Sequence, residues 1–222
     1  MELKITKASI HKNSFIGLFL KTNNEITLAP HGIPKKNAEQ IRETLGTRIV
    51  HLLIDQSPLV GLLSAMNSSG VILPCYSERS AVAALKKDGL NALLLREPFA
   101  PGNLIVCNDR TALVSPRVSR EEARRIGDCL NVEIFQQALA GSPIVGAVCV
   151  ATNNGVLAYN EASEIELKFL QKIFGVKALG GTSNFGSVCN TLGVVANDRG
   201  ALVGETTTGF EVQRIFEALN RD

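Results

Sequence analysis

The sequence predicts an α/β protein in which five like modules close into a ring. Three observations carry that expectation: a repeat of roughly 44 residues, an Asn at a fixed offset in it, and an apolar triplet at helical spacing. Taking Gly17, Gly61, Gly102, Gly146 and Thr191 as origins, the steps are 44, 41, 44 and 45 residues. Repeats of this length mark modules that bury their apolar faces only against neighbours.

Each module reads in the same order. The stretch after the origin is apolar, as in Gly17-Leu18-Phe19-Leu20 and Val145-Gly146-Ala147-Val148-Cys149-Val150, and predicts a strand. Six residues past each origin stands Asn23, Asn67, Asn108, Thr152 or Asn197. Segments such as Asn67-Ser68-Ser69-Gly70 and Asn197-Asp198-Arg199-Gly200 predict tight hairpins with positive φ. A second short strand follows, around Leu28, Ile72, Leu113, Leu157 and Leu202.

Helix starts come next. Ser119 with Glu122, Ser163 with Glu166 and Thr208 with Glu211 have capping-box spacing, in which hydroxyl and carboxylate satisfy free backbone N–H groups. Pro34 suits a first helical turn. Pairs such as Ala38/Ile41, Val82/Leu85, Ala123/Ile126, Leu167/Leu170 and Val212/Ile215, completed by Leu45, Leu130, Phe174 and Leu219, define one buried helix face. Only Gly89 departs from that triplet. Gly46 and Gly175 fit helix ends. A last strand, Arg48–Leu53 or Val132–Gln137 for example, follows in four repeats, and the fifth runs out after its helix. Residues 1–222 thus form a single domain. Ring closure removes the exposed ends of an open stack; an open array is the alternative, and the lack of distinctive capping repeats favours the ring.

Composition sets bounds on function. With 45% hydrophobic and 20% charged residues the chain is core-forming. A net charge of +2 is too small for a general nucleic-acid coat. No signal-like run follows Met1 and no long apolar stretch occurs, so a cytoplasmic protein without a membrane span is expected. Cys75, Cys107, Cys129, Cys149 and Cys189 are odd in number and widely spaced, which reads as small buried hydrophobes rather than a disulfide or zinc framework. His11, His31 and His51 read as isolated surface or turn residues. No metal or cofactor is expected.

With its Asn turns, Gly102-Asn103-Leu104, Cys107-Asn108-Asp109, Ala112-Leu113-Val114-Ser115-Pro116 and the ending Val195 to Gly209, the chain resembles the translation initiation factor 6 family of archaea and eukaryotes over essentially its whole length. The resemblance implies the pentein fold, a five-fold pseudosymmetric α/β propeller with a solvent-filled centre. It implies a non-catalytic, monomeric factor that sits on the large ribosomal subunit, on ribosomal proteins beside the sarcin–ricin loop, blocks joining of the small subunit and serves in large-subunit maturation. Release partners would be an elongation-factor-like GTPase and the Shwachman–Diamond protein. The fifth repeat departs at Val188-Cys189-Asn190-Thr191, and the chain stops three residues after Leu219, as in an archaeal-type member.

The repeat-start loops should share one rim, so Gly17, Ser57, Pro58, Leu59, Gly61, Leu62, Gly102, Asn103, Ser142 and Pro143 are the candidate ribosome-binding residues; the resemblance makes the Gly102-Asn103 pair prominent. The same glycines could simply serve strand geometry. Arg117, Arg120 and Arg124 at i, i+3, i+7 are a candidate rRNA contact, against a plain solvated helix face. Two other functions stay open. Some penteins modify guanidino groups with a Cys nucleophile and a His base, and a scaffold ring could carry a non-ribosomal client.

Overall fold

The computed structural model describes residues 2–221, and its unit is a small three-stranded sheet, formed five times. In the first, inner strand Lys21–Thr22 lies antiparallel to middle strand Ile26–Ala29, which lies parallel to outer strand Arg48–His51. The others repeat this order: Ala65–Met66, Gly70–Leu73, Asn91–Leu94; then Ile105–Cys107, Thr111–Val114, Glu133–Gln136; then Val150–Ala151, Gly155–Tyr159, Lys177–Gly181. A helix makes each middle-to-outer crossover, as a parallel pair requires.

The fifth sheet supplies what the sequence left open. Its inner and middle strands are Val194–Ala196 and Gly200–Gly204. Its outer strand comes from the other end of the chain: Lys4–Ala8 pairs parallel with the middle strand, from Lys4 opposite Gly200 to Ala8 opposite Gly204. The N-terminal segment thus completes the last module and ties both chain ends into one sheet. Asn220 Oδ1 accepts from the Leu3 N–H beside this pair.

The helices follow their caps. Helices Glu164–Phe174 and Gly209–Leu219 carry complete capping boxes on Ser163/Glu166 and Thr208/Glu211. Helix Arg120–Leu130 keeps only half of one. Ser119 Oγ accepts from the Glu122 N–H, but the Glu122 carboxylate turns to the Arg96 N–H and the Arg125 guanidinium. Pro34 is the cap residue itself, one place before helix Lys35–Gln40, which widens into a π turn over Ile41–Leu45. Gly46 and Gly175 end their helices in the left-handed region, φ 64° and 67°. Gly89 (φ 83°) does the same after the shorter helix Arg79–Lys87, which explains its missing apolar side chain.

Helices pack across module boundaries. Ile215, Ala218 and Leu219 of the last helix share one apolar cluster with Val150 and Leu157 of the fourth sheet. A Cβ on Gly155 would lie 1.8 Å from the Ala218 carbonyl oxygen, one on Gly70 2.5 Å from that of Cys129, and one on Gly200 2.2 Å from that of Thr44. Each fully buried Leu or Phe side chain is worth about 1.5–3 kcal/mol. Because the clusters straddle neighbours, no module holds its core alone.

Two local expectations are corrected. The residues following the origins do not enter a strand at once: Ile16–Leu18, Pro101–Leu104, Val145–Val148 and Asn190–Gly193 are single helical turns, and the strand is the two or three residues after them. The reason is backbone packing around the axis. A Cβ on Gly61 would meet the Gly17 oxygen at 2.1 Å, one on Gly102 the Gly61 oxygen at 2.7 Å, one on Gly146 the Gly102 oxygen at 2.6 Å, and one on Gly17 the Thr191 oxygen at 1.8 Å. Thr191 completes the cycle by donating its hydroxyl to the Gly146 and Cys149 carbonyls. Five origins touching in a closed cycle make the array a ring.

The Asn turns are also built differently from expectation. None of Asn23, Asn67, Asn108 or Asn197 has positive φ. Each instead accepts the N–H groups two and three residues on with its Oδ1, as Asn67 does from Ser69 (3.0 Å) and Gly70 (3.1 Å). Its Nδ2 then donates to a carbonyl of the next module: Asn23 to Asn67, Asn67 to Asn108, Asn108 to Thr152, Asn197 to Asn23. One short polar side chain caps its own turn and bolts on its neighbour.

Candidate functional site

The ring has two unlike ends. The asparagine turns and helix C-termini form one. The origins, helix N-termini and loops before the origins form the other.

At the asparagine end the hydrogen bonds are spent internally. Ser68, Asp109, Asn153 and Asp198 each donate a backbone N–H to the side chain of the equivalent residue in the next module: Asp109, Asn153, Asp198 and Asn24. Asn153 Nδ2 bridges the carboxylates of Asp109 (2.7 Å) and Asp198 (2.8 Å). Arg199 clamps the closing seam through the Gly46 and Asn24 carbonyls.

The origin end is the opposite in character. Its loops hold left-handed backbone at His11 and Lys12, Asp55 and Gln56, Ala140 and Gly141, and Asn184, Phe185 and Gly186. A carboxylate from the helix of the same module grips most of them. Glu78 accepts from the Asp55 and Gln56 N–H groups, Glu166 from Ala140, and Glu211 from Phe185 and Gly186. The first module uses amides instead, Asn37 Nδ2 donating to the Ser9 carbonyl. These grips fix the loops, so what they display is pre-organised.

The large apolar side chains exposed among the described residues all lie at this end: Phe15, Tyr76, Ile165 (81%), Phe185 (82%) and Phe210 (93%). Phe15 and Phe185 flank the bond from Asn184 Nδ2 to the Ser14 carbonyl, and Phe210 adjoins Glu211, which holds Phe185. Exposed aromatics on held loops have the character of interface anchors.

The carboxylate grips titrate. The Asp55 N–H, then the N–H of Glu78 itself and of Gln56, outweigh burial and hold Glu78 below the usual carboxylate range. The Ser163 N–H, outweighing burial and joined by that of Ala140, does the same for Glu166. For Glu211 burial pushes up, but N–H groups of Thr208 and Gly186 overcome it. A folded pKa below the unfolded one gives stability that is full above the unfolded value, about 4.3, and is lost as pH falls through the folded value. Glu211→Ala is expected to cost about 1–2 kcal/mol. It should also speed amide exchange at Phe185 and Gly186, read by hydrogen exchange at neutral pH; unchanged exchange there would refute the grip.

The sequence-predicted residues divide by burial. Gly17, Gly61 and Gly102 are buried in the origin cycle, so their glycine identity is explained by backbone packing. Ser57, Leu59, Leu62, Asn103, Ser142 and Pro143 are half-buried and Pro58 is exposed, all at the origin end. Arg117, Arg120 and Arg124 are exposed but do not form one cluster. Arg117 and Arg120 stand at the helix start, whereas Arg124 lines a groove with Arg110, Asp128, Asn131 and Glu133 toward the asparagine end.

His31 and His51 are not isolated: their rings stack with centroids 5.5 Å apart, and His51 Nδ1 lies 3.0 Å from the Pro30 carbonyl. Among the cysteines, all free, Cys149 is buried but Cys75 is exposed, against expectation. Burial pushes the thiols of Cys107 and Cys149 up to about 12 and that of Cys129 to about 11. Those three thiols are far from the reactive thiolate a nucleophile needs. Among the described residues no three His, Cys, Asp and Glu side chains gather as a metal site, and no helix is long and apolar enough to cross a membrane.

The comparisons with known proteins agree with this architecture. The model of the eIF-6 family matches residues 5–218. Translation initiation factor 6 of Pyrobaculum aerophilum is 36% identical over 216 residues, covering 97% of this chain and 98% of that protein. The factor of Saccharolobus islandicus is 38% identical over 221 residues, 98% and 99% of the two chains. That of Pyrococcus abyssi is 35% identical over 226 residues, again 98% and 99%.

Proposed function

We propose, from the premise that the chain belongs to the eIF-6 family, that it acts in translation initiation by docking its origin end on the large ribosomal subunit and excluding the small one. The observation that carries this reading is the gathering of exposed aromatic and aliphatic side chains at that end, with Phe185 on a loop held by the Glu211 carboxylate. The opposite end, with its polar groups bonded to one another, offers little to a partner.

Nothing chemical need happen on such a dock. A body seated on the joining face excludes the other subunit while its free concentration exceeds its dissociation constant. An ordinary interface buries about 800 Å² per partner, about a twelfth of this protein's 9796 Å² surface. The partner surface would be protein beside the sarcin–ricin loop, with Arg117 and Arg120 reaching rRNA phosphate and adding a mild salt dependence. Maturation of the large subunit, and release by an elongation-factor-like GTPase with the Shwachman–Diamond protein, complete the reading, with the factor monomeric in the cytoplasm.

The test is a purified-subunit joining assay with direct binding to large subunits. Phe185→Asp is expected to weaken binding at least tenfold, since apolar anchors at an interface centre are worth about 2 kcal/mol or more. Asn103→Ser should weaken it less, and Arg110→Ala at the far end should leave it unchanged. Each variant must keep a native circular dichroism spectrum. If Arg110→Ala impairs binding while Phe185→Asp does not, the ring sits the other way up. If the wild-type protein fails to keep subunits apart, the reading falls.

A further inference from the structure

The centre of the ring holds a cavity of about 60 Å³, running from the origin cycle at Gly146 and Thr191 to the inner strands. It continues between the asparagine turns into a second space of about 40 Å³. Its wall is mixed, with Met66, Val106, Cys107 and Cys149 beside the hydroxyl-bearing Thr22 and Thr191. One charge stands in it. Lys21, on the first inner strand, lines the cavity and is half-buried.

That ammonium has no partner among the described residues: no carboxylate lies within ion-pair distance and no acceptor takes its protons. The carboxylates at the asparagine mouth, Asp109 and Asp198, already receive N–H and amide groups from their neighbours. The Cys107 thiol faces the same space but gives its hydrogen to the Met66 carbonyl, and so is neutral. A half-buried cation without a partner is partly desolvated, and native structures relieve that cost with a counter-charge or with water.

We propose that the hub cavity is a binding site for one weakly hydrated inorganic monoanion of chloride type, held against the Lys21 ammonium. A single cation calls for a single negative charge. A space of about 60 Å³ has room for one small ion beside its water and little for phosphate or sulfate. The mouth residues bind one another, so the site is independent of the docking end.

The experiment pairs a thermal melt with a crystal. In matched potassium chloride and potassium gluconate at pH 7, chloride at about ten times its dissociation constant should raise the wild-type Tm by about 3 °C. Lys21→Met and Lys21→Gln should show no difference between the salts. A crystal soaked in bromide should give an anomalous peak beside Lys21 Nζ that is absent from Lys21→Met. Equal wild-type melts in the two salts would overturn the site, including the case where bromide appears only at crystal concentration. So would a chloride effect that survives in both variants.

Discussion

Gly17→Ala is expected to destabilise the protein by about 3 kcal/mol, lowering Tm by about 9 °C, the upper end of what overpacking costs in a protein of this size. The added methyl carbon would stand 1.8 Å from the Thr191 carbonyl oxygen and 3.0 Å from the Leu192 Cα. These are backbone atoms of a helical turn, with no flexible side chain to swing away. The clash falls where the fifth module meets the first, the seam that chain continuity does not span except through the N-terminal strand. Relief therefore opens the ring there, at the expense of the Asn197 bonds to the Asn23 and Leu45 carbonyls. Gly61→Ala, at 2.1 Å from the Gly17 oxygen, should follow closely. Gly209→Ala, with nothing within 4 Å of the new carbon, is the control and should be neutral or slightly stabilising. Urea or thermal unfolding followed by circular dichroism decides it. A Gly17→Ala melt matching that of Gly209→Ala would mean the origin cycle is looser than the distances say.

These same glycines show how far the sequence could be read. Their 44-residue rhythm is visible in one dimension, and so are the five helices, because the apolar triplets and the hydroxyl–carboxylate caps are local patterns. What the glycines do is not local. Gly17 is glycine because of Thr191, 174 positions away, and no window of sequence contains that contact. The first strand is a similar case. Lys4–Ala8 alternates weakly and belongs to the fifth module, so a reading that proceeds repeat by repeat finds that module unfinished.

The origin end was legible only as a place. Loops before equivalent positions had to share a rim, and they do. Which side chains stand exposed there was not visible, since Phe185 and Phe210 lie outside the offsets that define the repeat, and outward direction depends on the turns that precede them. One signal did exist. Glu166 and Glu211 were recognised as capping residues, and their second acceptor oxygen had to go somewhere. It goes to the neighbouring loop, so a cap doubles as the support of the proposed docking surface. Arg124 illustrates the opposite error: spacing along a helix gives a common face but not a common end, and a residue one turn further down belongs to a different surface.

Removing the hub cation should make the protein more stable. Burial lowers the Lys21 pKa from 10.5 to about 8, with the facing Cys107 raising it slightly. Below about pH 8 the folded state carries a half-buried ammonium that the unfolded chain would hydrate more fully. Between about 8 and 10.5 the unfolded chain keeps its proton and the folded protein does not, so stability rises with pH across that window. The Cys107 and Cys149 thiols, pushed up to about 12 by burial, lower stability over part of the same window as the unfolded chain releases their protons, but both proteins carry them, so they cancel in the difference between wild type and Lys21→Met. In chloride-free buffer at pH 7, Lys21→Met is expected to gain about 2–3 kcal/mol, the order of the linkage energy for a shift of this size. Measured by urea unfolding, its advantage over wild type should shrink steadily as pH rises from 8 and be nearly gone at 10.5. An advantage that stays constant across that range would show that the methionine acts by packing alone. No advantage at pH 7 would show that water in the hub already solvates the ammonium.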